Sequence, residues 1–121
     1  MGRLPMAARV TKPESQSDIL PGTLEMLILK TLTLGPMHGY SIAQHIARLS
    51  KDVLRVEQGS LYPALERVQK KGWATSRWRA SPTGRQARYY TITAAGRKHL
   101  GETSTAYQRA ALAIARVMRR A

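Results

Sequence analysis

The chain has 121 residues, no cysteine, and a formal net charge of +13 from 20 Lys and Arg against 7 Asp and Glu. That length suits one domain with a modest core. The absence of cysteine excludes disulfides and thiolate metal sites, and no apolar run approaches the roughly 18 residues of a membrane span. A polyanion is the expected partner, because the charge is concentrated: from Arg67 to Gly101 there are nine Lys or Arg and no Asp or Glu.

Residues 1–17 are polar and proline-bearing, without periodicity, and read as a disordered arm whose cations Arg3, Arg9 and Lys12 are free to meet phosphate. The segment lacks the continuous apolar core of a secretory signal, so a cytoplasmic protein is the simplest expectation. A winged domain is expected over 18–93. Its first helix is placed at 22–34, preceded by Asp18 and Pro21. Leu24, Leu27, Ile28, Thr31 and Leu32 form its apolar face, and Gly35-Pro36 stops it. A second helix is placed at 39–49, with a stripe of Ile42, Ile46 and Leu49. The connection 50–58 follows, with Val53, Leu54 and Val56 packed beneath it.

A third helix is expected from about Ser60 to Lys71. Leu61, Leu65 and Val68 face inward, and Ser60, Pro63, Arg67 and Lys70 face outward. Gly59 and Ser60 sit where a cap is wanted, Pro63 is tolerable in a first turn, and Gly72 ends the helix. Two strands, roughly Trp73 to Ala80 and Arg85 to Thr93, flank the turn signal Ser81-Pro82-Thr83-Gly84, with Tyr90 and Ile92 directed inward. Thr93 is placed as the N-cap of a fourth helix running to about Arg119. In that helix Leu100, Tyr107 and Ile114 recur every seven residues, and Thr103, Ala110 and Val117 follow three positions later. Such a seam on a long helix calls for a second copy, which makes 94–121 a dimerisation helix.

Three helices, a hairpin and a long terminal helix amount to a mainly α fold with a small β-hairpin: a winged helix-turn-helix plus a C-terminal helix. The third helix is the candidate reader of double-stranded DNA. Ser60 and Arg67 are placed at base edges, and Lys70 and Lys71 at phosphates. The hairpin is the wing, with Arg77, Arg79, Arg85 and Arg88 free of nearby acids. Tyr62 and Tyr40 each combine a ring that packs with a hydroxyl able to donate to phosphate. Trp73 is placed under the wing, while Trp78 is left open to solvent, DNA or the fourth helix.

Four pieces of the chain resemble the PadR family of bacterial transcriptional regulators. They are Leu20-Pro21-Gly22-Thr23-Leu24, Gly39-Tyr40-Ser41-Ile42, Gly59-Ser60-Leu61-Tyr62-Pro63-Ala64-Leu65 and Gly84 through Arg97. The resemblance spans about residues 18 to 100. It implies a homodimeric repressor joined through its C-terminal helices, with Tyr62 and the first turn of the third helix touching DNA and the wing on the backbone or minor groove. It also implies release by a small hydrophobic or aromatic effector or another signal. Two departures stand out. Thr75 and Arg77 occupy the first wing strand where similar proteins often carry acids. The chain also looks like a short form, with no aromatic beyond Tyr107 along its fourth helix.

Two other readings of the residues are an RNA- or ribosome-associated basic winged protein and a membrane-surface role for the Ala-rich fourth helix. The seam argues against the first and the shortage of bulky residues against the second. No cofactor, metal or catalytic residue is expected: His38, His45 and His99 lie far apart without an acid pair, and no Gly-rich phosphate loop is present.

Overall fold

A computed structural model describes residues 22–120. The arm expected over 1–17, and Asp18, Leu20 and Pro21 ahead of the first helix, lie outside the described residues. Helix α1 spans Thr23–Leu32. Strand β1 is Met37–His38, helix α2 is Gly39–Leu49, and helix α3 is Gln58–Lys70. The wing strands are β2, Ala74–Ala80, and β3, Gln86–Ile92, and helix α4 runs over Ala94–Arg120. The sheet is antiparallel in the order β1-β3-β2, with Trp78 opposite Arg88, Ser76 opposite Tyr90 and Met37 opposite Tyr90 on the other edge.

The apolar periodicities converge on one core. Ile28, Leu29 and Leu32 of α1, Ile42 of α2 and Leu61, Leu65 and Val68 of α3 are fully buried. Each such side chain is worth roughly 1.5–3 kcal/mol in area removed from water. Ala74, Tyr90 and Ile92 close the core from the sheet side, so the inward placement of Tyr90 and Ile92 holds.

Helix boundaries follow from caps. His38 caps α2, its Nδ1 accepting from the Ser41 amide at 3.3 Å. Helix α3 ends with left-handed Gly72, whose amide donates to Gln69 O at 3.0 Å, while the Trp73 amide donates to Val68 O at 3.0 Å. This reciprocal pair satisfies the last carbonyls of the helix. Helix α2 ends with the same pattern on Lys51 and Asp52, both at positive φ, a conformation that costs a non-glycine residue of order 1 kcal/mol or more.

The most constrained joint lies between the wing and α4. The Thr93 hydroxyl donates to Gly72 O at 2.6 Å and accepts from the Gly96 amide at 3.0 Å, capping α4. The Thr93 amide donates to Trp73 O at 2.9 Å. A Cβ on Gly96 would lie 2.1 Å from that same carbonyl oxygen and 2.9 Å from Ile92 Cγ1.

Four expectations are corrected. Leu49 and Val53 are 68% and 67% exposed, Leu49 as the last residue of α2 beyond the packed Ile42 and Ile46, and Val53 just past the left-handed turn at Lys51-Asp52; of the connection only Leu54 and Val56 pack against the core. Helix α3 begins at Gln58 with Glu57 as a cap that makes no side-chain bond, so Gly59 and Ser60 are already helical and Pro63 stands in the second turn. Ser60 and Arg67 lie on the flanks of α3 rather than on its outer face. Strand β1, too short to show a period of two, was not expected.

Replacing Gly96 by Ala should destabilise the protein by about 2 kcal/mol or more, since backbone must shift to admit the methyl group. Gly101→Ala, in the same helix with nothing within 4 Å of the added atom, should instead stabilise by about 0.5–1 kcal/mol. Urea unfolding of the two variants checks both signs.

Candidate nucleic-acid interface

The α2 and α3 N-terminal turns face the wing across a groove of about 610 Å³, lined by His38 to Ser41, Gln44, Tyr62, Trp78, Tyr90 and the Ser81 to Arg88 part of the wing. The turn is set by Ser81 O accepting from the Gly84 amide at 2.8 Å and the Ser81 amide donating to Arg85 O at 2.7 Å. Left-handed Gly84 lets the chain reverse there. This geometry holds Arg85 at the wing tip and Arg88 inside the groove.

Tyr62 lies across the first turn of α2. A Cβ on Gly39 would meet its Cε1 at 3.0 Å and its hydroxyl oxygen at 3.1 Å, so the glycine admits the ring. Tyr62 remains 43% exposed and Tyr40, nearby, 61% exposed. The Tyr40 oxygen accepts from Gln44 Nε2 at 3.1 Å, which leaves its own O–H free to donate.

The wing cations are ordered by aromatic rings. The Arg79 guanidinium carbon sits 4.1 Å from the Tyr89 ring centre, and that of Arg88 5.5 Å from Trp78. These distances are within cation–π range. Arg88 also hydrogen-bonds the Tyr90 hydroxyl. Burial pushes the Tyr90 phenol above its ordinary value of 10.0, and the charge and hydrogen bond of Arg88 pull in the other direction. The Nε of Arg88 is shut off from solvent with no partner among the described residues. Trp78 itself is 62% exposed and forms a wall of the groove. Trp73 instead stacks on His99, ring centres 3.6 Å apart, and packs against the core as expected.

Arg67 is placed differently from the sequence expectation. Its Nε donates to Glu25 Oε2 at 2.6 Å, with the Arg67 side chain 54% exposed and that of Glu25 only 11%. The pair ties α3 to α1 and turns Arg67 away from the outer face of its helix. Ser60, half-buried, lies on the same flank. The helical phase set by Leu61, Ala64, Leu65 and Val68 puts Gly59, Pro63, Glu66 and Lys70 opposite the core, all exposed. Glu66 is the residue that sequence reasoning missed. Its signal was the helical phase, once Ala64 is counted with Leu61, Leu65 and Val68 on the buried face.

Lys70 and Lys71 at the end of α3, and Arg77, Arg79, Arg85 and Arg88 on the wing, enter no ion pair among the described residues. The beginning of α4 packs on α1 and against the wing base, with Leu100 against the core and the Thr103 hydroxyl 3.1 Å from His99 Nε2. Further along, Tyr107, Ile114 and Val117 are 53%, 61% and 62% exposed, and Ala110 is exposed too. Met118, on the same face by helical phase, is 74% exposed. Among the described residues no helix is long and apolar enough to cross a membrane.

Four helices, a three-stranded antiparallel sheet and a cationic wing define a winged-helix protein. The transcriptional regulator PadR-like family model matches residues 28–102, and the chain belongs to that family. A transcriptional regulator from Clostridium thermocellum is similar in structure, with TM-score 0.74 and 26% identity, over 83% of this chain and 94% of that one. A PadR-like transcriptional regulator from Bacillus cereus matches with TM-score 0.71 and 26% identity, over 85% and 98%. A transcriptional regulator described as putative, from Thermoplasma acidophilum, matches with TM-score 0.70 and 30% identity, over 83% and 94%. The chain is therefore a PadR-family transcriptional regulator of the winged-helix fold, a family whose regulation acts through DNA.

Arg67→Met should lower stability by about 1–3 kcal/mol, because it strands the Glu25 carboxylate. Adding Glu25→Gln to that variant should recover part of the loss. Urea unfolding of the two single variants and the double variant measures the coupling.

Proposed function

We propose that the protein is a homodimeric repressor that lays its two α3 helices in successive major grooves of a roughly palindromic operator, about 34–36 Å apart. The observation that carries this reading is the pair Arg85 and Arg88 lining the groove opposite Tyr40 and Tyr62, unpaired by any described acid, with Lys70, Lys71, Arg77 and Arg79 adding positive charge at the end of α3 and on the other face of the wing. Arg85 and Arg88 take phosphates of the strand beside the wing. Tyr62 and Tyr40 donate to phosphate oxygens across the groove, and Lys70 and Lys71 add unspecific attraction. Pro63 packs against the bases by apolar contact. Ser60 and Arg67, on the flank, give up the base-reading role that the sequence suggested; Arg67 acts by fixing the rotation of α3.

The second copy docks through α4. Tyr107, Ala110, Ile114 and Val117 form the exposed part of its seam, joined by Met118, while Leu100, packed against its own core, and Thr103, beside His99, stand at its base. A stripe this apolar on a 27-residue helix, roughly 40 Å long, suits pairing with its own symmetry mate. A small hydrophobic or aromatic effector bound between the paired α4 helices and α1 would change the spacing of the two α3 helices and release the operator. Such a regulator works in the cytoplasm, where the DNA is.

Fluorescence anisotropy against the duplex upstream of its own gene and a scrambled duplex, at several salt concentrations, tests the reading. A preference of ~10³ or more at physiological salt is expected; equal, steeply salt-dependent binding to both would reduce the protein to a basic polyanion binder. Arg88→Ala should reduce the slope of log K against log salt by about 1. Tyr62→Phe should weaken all sequences alike. Tyr107→Glu should give a monomer by light scattering.

A further inference from the structure

We infer that Glu66 is a specificity-determining residue that accepts a hydrogen bond from the exocyclic amino group of a base, cytosine in the first instance, in the major groove. The inference rests on the DNA-binding reading above and adds a residue and a chemistry to it.

Glu66 lies midway along α3, exposed, on the face opposite Leu61, Leu65 and Val68 and in line with Gly59, Pro63 and Lys70. If α3 enters a groove, this face meets base edges first. Among the described residues Glu66 enters no ion pair, although Lys70 stands one turn away and the neighbouring wing is cationic. The other acids near α3 are accounted for. Glu25 is buried against Arg67, and Asp52 pairs with Arg55 at 3.7 Å. Glu57 stands at the N-cap of α3, where its carboxylate makes no capping bond but meets the positive end of the helix. A lone anion at the centre of a phosphate-binding surface lowers affinity for every duplex, so as a plain surface residue it would work against binding.

A carboxylate only accepts hydrogen bonds. In the major groove the cytosine N4 amino group satisfies it, whereas guanine presents acceptors at O6 and N7 and thymine presents O4 and a methyl group. Opposite those edges Glu66 would be a desolvated charge facing acceptors. Discrimination therefore comes from rejection as much as from attraction. Adenine N6 offers the same donor next to the N7 acceptor, a poorer match to two carboxylate oxygens.

The test is sequence selection from a pool of randomised duplexes by the wild-type protein, Glu66→Gln and Glu66→Ala. Anisotropy on the selected duplex, on single-base changes of it and on a scrambled duplex follows, with melting temperatures for all three proteins. Wild type should select an amino-bearing base, cytosine foremost, at one position in each half-site. Both variants should lose about 5- to 100-fold of discrimination at that position alone. They should also bind the scrambled duplex more tightly than wild type does, with melting temperatures unchanged. Unaltered base preferences in both variants would overturn the inference, as would a uniform rise in affinity at every position, which marks Glu66 as bulk charge only. Loss of all preference together with a lowered melting temperature would also overturn it, in favour of a structural role. Failure of the wild-type protein to select any sequence is a separate result and contradicts the DNA-binding reading itself.

Discussion

The close approach of Gly96 to the Trp73 carbonyl is the constraint on which the rest of the architecture depends. Only a residue without a side chain can stand there. Around it, one threonine hydroxyl caps α4 and bonds the carbonyl of Gly72, the residue that ends α3. The end of α3, the base of the wing and the start of the longest helix are thereby fixed to one another within a few residues. These contacts join α4 directly to the end of α3 and to the wing.

A second pairing sets how α3 is rotated. Burying the Glu25 carboxylate is costly unless it is matched, and Arg67 matches one of its oxygens, Oε2, from across the α1–α3 contact, while Oε1 is buried with no partner among the described residues. The consequence is selective exposure. Arg67 and Ser60 go to the flank, Tyr62 turns toward the wing over Gly39, and Pro63, Glu66 and Lys70 are left outward. On the wing, Tyr89 and Trp78 hold guanidinium groups that would otherwise sample many rotamers, which lowers the entropy cost of a phosphate contact. Arg88, beside Trp78, lines a groove walled by aromatic rings, while Arg79 and Tyr89 lie on the other face of the wing.

Much of the fold was legible because its signals are local. The period of Ile28, Leu32, Ile42, Leu61, Leu65 and Val68, the Ser-Pro-Thr-Gly turn and the Thr93 cap each specify structure within a few residues. What was not legible depends on tertiary contact. The start of α3 lacks any side-chain cap, so Ser60 looked like the natural beginning; separately, Ala64, fully buried but not counted in the apolar stripe, shifts the buried face toward Ser60 and Arg67 and leaves Glu66 outward. The partnership of Arg67 with Glu25 spans 42 positions and has no sequence signature. Leu49 fits a buried stripe, yet it ends α2 beyond the packed Ile42 and Ile46, and Val53 stands exposed just past a left-handed turn on Lys51 and Asp52 that has no glycine to announce it. The groove cations were legible as a run free of acids; their aromatic partners were not, because cross-strand register decides them.

The central claim is that DNA lies against α3 and the wing, across the groove that separates them. Amide chemical-shift mapping during titration with a selected duplex tests it most directly. The account predicts that the largest changes fall at Gly39 to Ser41, Gly59 to Tyr62 and Ser81 to Arg85, with the buried core of α1 little affected. Changes confined to α4 around Lys98, Arg109, Arg116 and Arg120, with the wing turn silent, would contradict it.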